Sequence, residues 1–294
     1  MGEPLLSVVV PTLNAAAEIG GLLDSLSSQT LRPAEVLVAD SSSDDGTADL
    51  ARSRGARVVE ISRADFNHGS TRDVALRLTC GDVVCFLTQD AVPASARYLE
   101  RLVAPMLADE GVALASGRQL PKAGARSFER LVRAFSYPAE PSVRSEADLP
   151  RLGIRTFLAS DVCSAYRRGP YLECGGFPAV ETNEDMLMAA RLVGRGYRIA
   201  YAADACVYHS HNLTPRQQFE RNRAVGRFLE EHSAELMGAS ELGEGGRLAR
   251  SVASGLLREG KPGELLAFLV DCAARLAGNR AGRMEARRDL KGKR

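Results

Sequence analysis

The 294-residue sequence has no tryptophan, and its aromatic residues amount to only 5%. Base-stacking proteins and membrane-belt proteins lean on aromatic rings, so this scarcity argues against both classes. An excess of one charge is also missing. The 38 Lys and Arg and 37 Asp and Glu leave a net charge of +1, which gives no global attraction to nucleic acid. No apolar run approaches the roughly 20 residues of a membrane-spanning helix. No basic stretch precedes the first apolar segment, and that segment has strand length, so it is not read as a secretory leader. The six cysteines, Cys80, Cys85, Cys163, Cys174, Cys206 and Cys272, form no C-x-x-C pair. Several lie in apolar patterns and are read as buried free thiols of a reducing compartment. No G-x-G-x-x-G follows the first strand, which weakens a dinucleotide-binding reading. The expected location is the cytoplasm, or the inner face of the plasma membrane as a peripheral protein.

What is present is a repeating alternation. Hydrophobic residues make up 45% of the chain, ample for a core. Short apolar runs at 5–10, 35–40, 57–61 and 83–87 predict strands, the first ended by Pro11. Helical spacing falls between them, at 18–26, after Gly46 and at 70–78, the last with a capping box Ser70-x-x-Asp73. Strands alternating with helices imply βαβ units and an α/β fold with a mostly parallel sheet. Further on, strands are expected at 112–116, 157–166, 198–201 and 206–209, and helices at 127–135 and 184–193. Residues 138–152 read as a mobile loop. Thr214-Pro215-Arg216-Gln217 starts a helix that runs to about His232. The expected division is a catalytic domain at 1–238 and a helical, basic extension at 239–294. From Arg275 onward the chain has eight Lys or Arg against two acids.

Candidate site residues gather where the early strands end. Pro11, Thr12 and Asn14 turn the chain out of the first strand. Asp40 ends the second, and Thr88-Gln89-Asp90 follow the fourth. Open α/β sheets bind ligands outside the carboxyl ends of their strands. An acid there can hold a divalent cation against a diphosphate, and one at Asp40 can accept from a base N–H. Turns favour the same residue types without any ligand; it is the repetition at one rim that suggests a site. Thr182-Asn183-Glu184-Asp185 opens a helix and is itself a capping box, a role compatible with an ionised base. His209 and His211 alternate after a strand, so both can face one cleft, and imidazole is a good metal ligand.

Taken together, Ser7–Asn14, Glu35–Thr47, Gly81–Asp90, Gly175-Gly176-Phe177 and Asn183–Met186 resemble the family 2 glycosyltransferases of the GT-A fold, over roughly residues 5–235. Phe66–Arg72, Thr88–Ala91 and Val207–His211 resemble the bacterial rhamnosyltransferase branch, which uses dTDP-L-rhamnose to build surface polysaccharide. The resemblance implies a GT-A sheet flanked by helices, an inverting transfer from a nucleotide sugar, and Mg2+ or Mn2+. It implies that Pro11, Thr12 and Asn14 border the nucleotide and that Asp40 binds the base. It places Gly69 where backbone approaches the nucleotide and Arg72 near the diphosphate. It makes Asp90 the last acid of the DxD motif and a metal ligand, with His209 as a second ligand, Asp185 as the base and Glu184 its neighbour. Thr88 stands where the first DxD acid is usual, and Asp73 replaces an Asn. Gln218-x-x-Arg221 resembles part of the QxxRW signature of processive synthases, but Asn222 replaces the Trp, so a solvated helix face is expected. The acceptor implied is a saccharide or a lipid-linked glycan. A family 2 transferase using another UDP, GDP or dTDP sugar, and a non-catalytic GT-A-like binding protein, stay open. The apolar stretch 265–276 with basic residues beyond it either lies on an anionic leaflet or packs on the protein.

Overall fold

The computed structural model describes residues 4–239 and 243–292. The chain forms two compact units. One comprises residues up to Gln119, Ala139–Asp148 and Thr156–His209; the other comprises Leu120–Pro138, Leu149–Arg155 and the residues from Ser210 onward. The contacts therefore group the chain differently from a cut at 238/239.

The first unit is built on a mixed sheet. Its strands are β1 (Leu6–Thr12), β2 (Glu35–Asp40), β3 (Arg57–Glu60), β4 (Val83–Leu87), β5 (Val92–Pro93), β6 (Val112–Leu120), β7 (Ser142–Arg144), β8 (Cys163–Arg167) and β9 (Arg198–Tyr208). Their order is β3-β2-β1-β4-β8-β6-β9-β5, with β7 also paired to β9. The strands β3, β2, β1 and β4 are parallel, and β8 runs antiparallel to β4. Val8, Val9 and Val10 are all fully buried, as expected for a central parallel strand covered on both faces. The helices α1 (Ile19–Ser27), α2 (Thr47–Ser53), α3 (His68–Leu78) and α4 (Tyr98–Ala108) alternate with the strands. Ile19, Leu22 and Leu26 of α1 join Val8, Val10, Tyr98 and Leu102 in one core. Each such burial contributes about 1.5–3 kcal/mol.

Some elements differ from the sequence expectation. β1 does not stop at Pro11: Pro11 pairs with Ala39 of β2, while the pairing with β4 has already ended at Val9. The missing N–H thus costs no ladder bond on the β4 side. The start of α3 is capped not by Ser70 but by Asn67, whose side chain accepts from the N–H groups of Gly69 and Ser70. Asp73, freed from capping, accepts from Arg77 and Tyr171. Residues 138–152 are not a plain loop, since β7 pairs with β9 inside them. The segment expected as strand from 157 has strand geometry only from Cys163, because 153–157 is a 3-10 turn. The two short strands expected at 198–209 are one strand, β9. Cys85, Cys163 and Cys174 are buried as expected, whereas Cys80 is exposed; all six are free.

Two more helices of the first unit, α7 (Arg168–Glu173) and α8 (Glu184–Val193), follow β8. The second unit is helical: α5 (Ser127–Ser136), α6 (Leu149–Leu152), α9 (Pro215–Glu231), α10 (Glu244–Arg258) and α11 (Pro262–Gly292). The capping box at Thr214 forms as expected. α9 and α11 pack closely, because a Cβ at Gly226 or Gly282 would strike the facing backbone. Arg227–Asp289 and Arg287–Glu230 pairs, both 2.8 Å, tie the basic end of α11 to α9. Among the described residues no helix is long and apolar enough to cross a membrane.

Candidate active site

Parallel pairing fixes where the candidate residues meet. Thr12 is in register with Asp40, so β1 and β2 finish at one edge. β4 ends at the same edge, and its antiparallel neighbour β8 begins there, with Leu87 opposite Cys163. The loops after Thr12, Asp40 and Leu87 and the segment before Cys163 therefore share one rim.

The turns after β1 and β2 are held by Asp40. Its carboxylate accepts from Thr12 Oγ1 (2.9 Å), Ser43 Oγ (2.6 Å) and the Ser43 N–H (2.9 Å), and the residue is only 1% exposed. Expected to accept from a nucleotide base, Asp40 in this structure organises its own turn. Asn14 has a left-handed backbone (φ 49°), which Asn tolerates better than most residues. Its side chain accepts from the Asp44 N–H, and its own N–H donates to Ser43 Oγ. Gln89 grips the chain between them. Its Oε1 accepts from the Leu13 N–H (2.8 Å) and its Nε2 donates to the Leu13 carbonyl (3.2 Å). Thr12, Leu13, Asn14, Asp40, Ser43 and Gln89 are thus one hydrogen-bonded assembly that begins directly after Pro11 and carries the loop bearing Asp90.

Asp90 Oδ2 lies 3.5 Å from His209 Nε2. His209 follows β9, which the pairing of Tyr208 with Val92 brings to the Asp90 loop. Behind the imidazole, Gln119 Nε2 donates to Ser160 Oγ, leaving Gln119 Oε1 2.9 Å from His209 Nδ1. This network assigns the ring proton to Nδ1 and turns the Nε2 lone pair toward Asp90. Two acceptors face each other there, so either a second proton or a cation must lie between them. Neighbouring ligand atoms around a small divalent cation stand roughly 3 Å apart. The donor set and spacing therefore fit such an ion, with Gln119 orienting the ligand from behind.

Thr88, expected as a donor contact, has a hydroxyl that is buried with no hydrogen-bond partner among the described residues. Its N–H donates to the Val162 carbonyl, which connects the Asp90 loop to a second, acidic assembly. There the Asp161 N–H donates to Asp185 Oδ2 at 3.3 Å. Asp161 Oδ1 accepts from Ser164 Oγ (2.6 Å) and Tyr166 OH (2.7 Å). Arg72 Nη1 pairs with Glu184 at 2.9 Å, and Arg72 Nε is 3.9 Å from Asp161. Arg72, Asp161 and Glu184 are each at most 6% exposed, and Asp185 is half-buried.

Two carboxyl groups thus face one guanidinium, and a third, Asp185, is joined to them through the Asp161 N–H. Burial first, then the Glu184 and Asp161 charges, push the Asp185 carboxyl well above the ordinary carboxylate range. Burial likewise raises Asp161 to about 6, with Arg72 pulling the other way. An acid whose proton affinity is raised in this way is suited to accepting a proton.

Three expectations change in detail. Arg72 is not an open cation at the rim; it is enclosed and neutralises Glu184 and Asp161. Glu184 is its ion-pair partner and acts on Asp185 only through its charge. A Cβ on Gly69 would fall on the Pro178 carbonyl oxygen, so protein backbone alone already requires that glycine. The capping box read at Thr182 is not formed either: Asn183 opens α8 with a left-handed backbone and no side-chain cap. Asp161, Gln119 and Ser160 were missed by sequence reasoning. Only the polar Ser160-Asp161 step interrupting an apolar stretch hinted at them.

The profile of glycosyl transferase family 2 matches residues 7–175. The chain is 37% identical over 226 residues to the O-antigen chain rhamnosyltransferase RfbN of Salmonella typhimurium, covering 76% of this chain and 72% of that one. It is equally similar, over 228 residues and with the same coverage, to the O-antigen chain rhamnosyltransferase WbaN of Salmonella anatum. Among solved structures, a mannosyltransferase from Pyrobaculum calidifontis in complex with GDP-Man and Mn2+ superposes with a TM-score of 0.65 at 18% identity, covering 96% of this chain and 87% of that one. Glucosyl-3-phosphoglycerate synthase from Mycobacterium tuberculosis, with Mn2+ and UDP, superposes with a TM-score of 0.57 at 22% identity, covering 82% of each.

Proposed function

The chain belongs to glycosyl transferase family 2 and carries the GT-A fold, and we propose that it transfers L-rhamnose from dTDP-L-rhamnose, with inversion, to a saccharide or lipid-linked glycan of a surface polysaccharide. That it is a glycosyltransferase follows from the family. The observation that carries the donor assignment is the 37% identity to the two O-antigen rhamnosyltransferases over three quarters of the chain.

In this reading Asp90 and His209 hold a divalent cation, Mg2+ or Mn2+, which would neutralise charge gathering on the departing diphosphate. Pro11 and the assembly of Thr12, Asn14, Asp40 and Gln89 shape the edge against which the nucleotide lies, mainly through backbone groups that Asp40 and Gln89 keep in place. Asp185 takes the proton of an acceptor hydroxyl as that oxygen attacks the sugar from the face opposite the diphosphate. One displacement inverts the anomeric centre and needs no covalent intermediate. Burial, then the Glu184 and Asp161 charges, set the proton affinity of Asp185, and Arg72 keeps the buried charges tolerable. Residues 1–238 carry the transfer and 239–294 form the extension.

A panel of nucleotide sugars, read by release of nucleoside diphosphate, tests the donor. Turnover of dTDP-L-rhamnose at least about tenfold above UDP and GDP sugars is expected, a difference of about 1.4 kcal/mol in transition-state binding. Equal turnover of all donors would remove the rhamnose assignment and leave the family assignment standing.

Peripheral membrane contact belongs to the same proposal. Leu266, Leu269, Val270 and Leu276 of α11 are exposed, and basic residues follow them, a pattern suited to an anionic leaflet. Vesicles rich in anionic lipid should float the full chain at low salt, whereas neutral vesicles should not. Absence of any lipid dependence would count against the contact.

A further inference from the structure

Within the helical unit, α5, α9 and α11 enclose a cavity of about 200 Å³. Gln218 and Arg221, expected on a solvated helix face, both line it, and Gln218 is only 2% exposed. Its other charged lining residues are Glu129 and Arg133 of α5 and Asp271 and Arg275 of α11.

These groups are not equivalent. Arg133 pairs with Glu129 at 2.8 Å, and Arg275 with Asp271 at 2.6 Å. With its amide carbonyl turned toward α11, Gln218 also accepts from the Arg275 guanidinium. Two of the three arginines are therefore neutralised and held in place. Arg221 has no carboxylate partner among the described residues, so the lining keeps one positive charge without a counter-charge. Surrounding protein first, and then the Arg133 guanidinium, lower the proton affinity of Arg221. The residue as a whole is nevertheless exposed, and solvent at the cavity mouth keeps it charged and reachable.

A cation held against two others, over a polar cavity open to solvent, is an arrangement completed by an anion. The planar guanidinium fork matches the oxygens of a phosphoryl group, to which it can donate two parallel hydrogen bonds. We propose that this cavity binds a phosphoryl oxyanion, a phosphate ester or diphosphate, with Arg221 as its principal donor and Arg133 and Arg275 adding positive potential. All the residues named belong to the helical unit, whereas Asp40, Asp90, Asp185 and His209 belong to the sheet unit. The proposal therefore does not depend on the donor assignment.

The test is calorimetric titration of inorganic pyrophosphate, and separately of inorganic phosphate, into the full chain without divalent metal. Arg221→Met should weaken pyrophosphate binding at least tenfold, and Arg221→Lys should restore part of it. The thermal midpoint of Arg221→Met should match the wild type, because no ion pair is lost; a merely structural arginine would lower it. Asp90→Ala should bind pyrophosphate as the wild type does. No binding by the wild type, equal binding by Arg221→Met, or loss in Asp90→Ala would each overturn the proposal. Flotation with phosphatidic acid and with phosphatidylcholine vesicles distinguishes the sources of the group. If Arg221→Met loses the phosphatidic acid vesicles as well as pyrophosphate, the ligand is a lipid headgroup. If only pyrophosphate binding falls, it is a soluble or glycan-borne phosphoryl group.

Discussion

Replacing Asp185 by Asn is expected to lower turnover by about 10²- to 10⁴-fold, the usual contribution of a positioned general base, while nucleotide-sugar affinity stays at the wild-type value. Asp185 accepts the Asp161 N–H at 3.3 Å through one oxygen and the Met186 N–H at 2.7 Å through the other; the single amide oxygen of Asn can keep one of them, which leaves the start of α8 partly supported. What is lost for the chemistry is the ability to take a proton. The wild type should also show an acidic limb. The Asp185 carboxyl is raised well above the usual range, and Asp161 to about 6. A base acts when ionised, so activity should be lost on the acidic side, as pH falls through an Asp185 pKa that lies well above the ordinary carboxylate range. The residual activity of Asp185→Asn should lack this limb. Single-turnover kinetics over pH 5–8, with donor affinity measured separately, checks both statements. Turnover near the wild-type level in the variant, or a flat wild-type profile, would remove Asp185 from the role.

Asp90→Ala is expected to abolish the part of nucleoside-diphosphate affinity that depends on divalent cation. Loss of a group that holds or orients a metal ligand costs about 10- to 100-fold in metal affinity. Titration of a nucleoside diphosphate with and without Mg2+ gives the comparison directly. The wild type should bind more tightly with the ion, and the variant equally weakly in both conditions. His209→Ala should act in the same direction. Gln119→Leu should act more weakly, because it removes only the acceptor that holds the ring proton on Nδ1. The variants also decide what lies between Asp90 and His209. If a second ring proton alone relieves their opposition, Mg2+ will make no difference to either protein, and the metal reading is sunk.

Much of the rim was legible in the chain itself, because local rules act there. Parallel strands with short βα connections must end on one edge, so apolar runs ending at Pro11, Asp40 and Leu87 had to place their following residues together. The capping box at Thr214 and the strand limits at Glu35–Asp40 and Val83–Leu87 were readable for the same reason: each depends on neighbours only a few residues away. The task of each side chain was less legible. Nothing around Asp40 says that Thr12, 28 residues away, will occupy its carboxylate. Nor does anything around Gly69 announce the carbonyl of Pro178.

The sequence alone determined the family, the alternation of strands and helices at the N-terminal end, and which acids could stand at the rim. Periodicity, turn chemistry and motif spacing are local, and they survive without coordinates. The tertiary structure decided the pairings. It set His209 3.5 Å from Asp90, added Asp161 to the acids around Arg72, and turned Gln218 and Arg221 from a presumed solvent face into the wall of a cavity. Those outcomes depend on contacts between segments far apart in the chain, and on the electrostatics of buried groups. Both arise only when packing has chosen each neighbour and excluded the water between them.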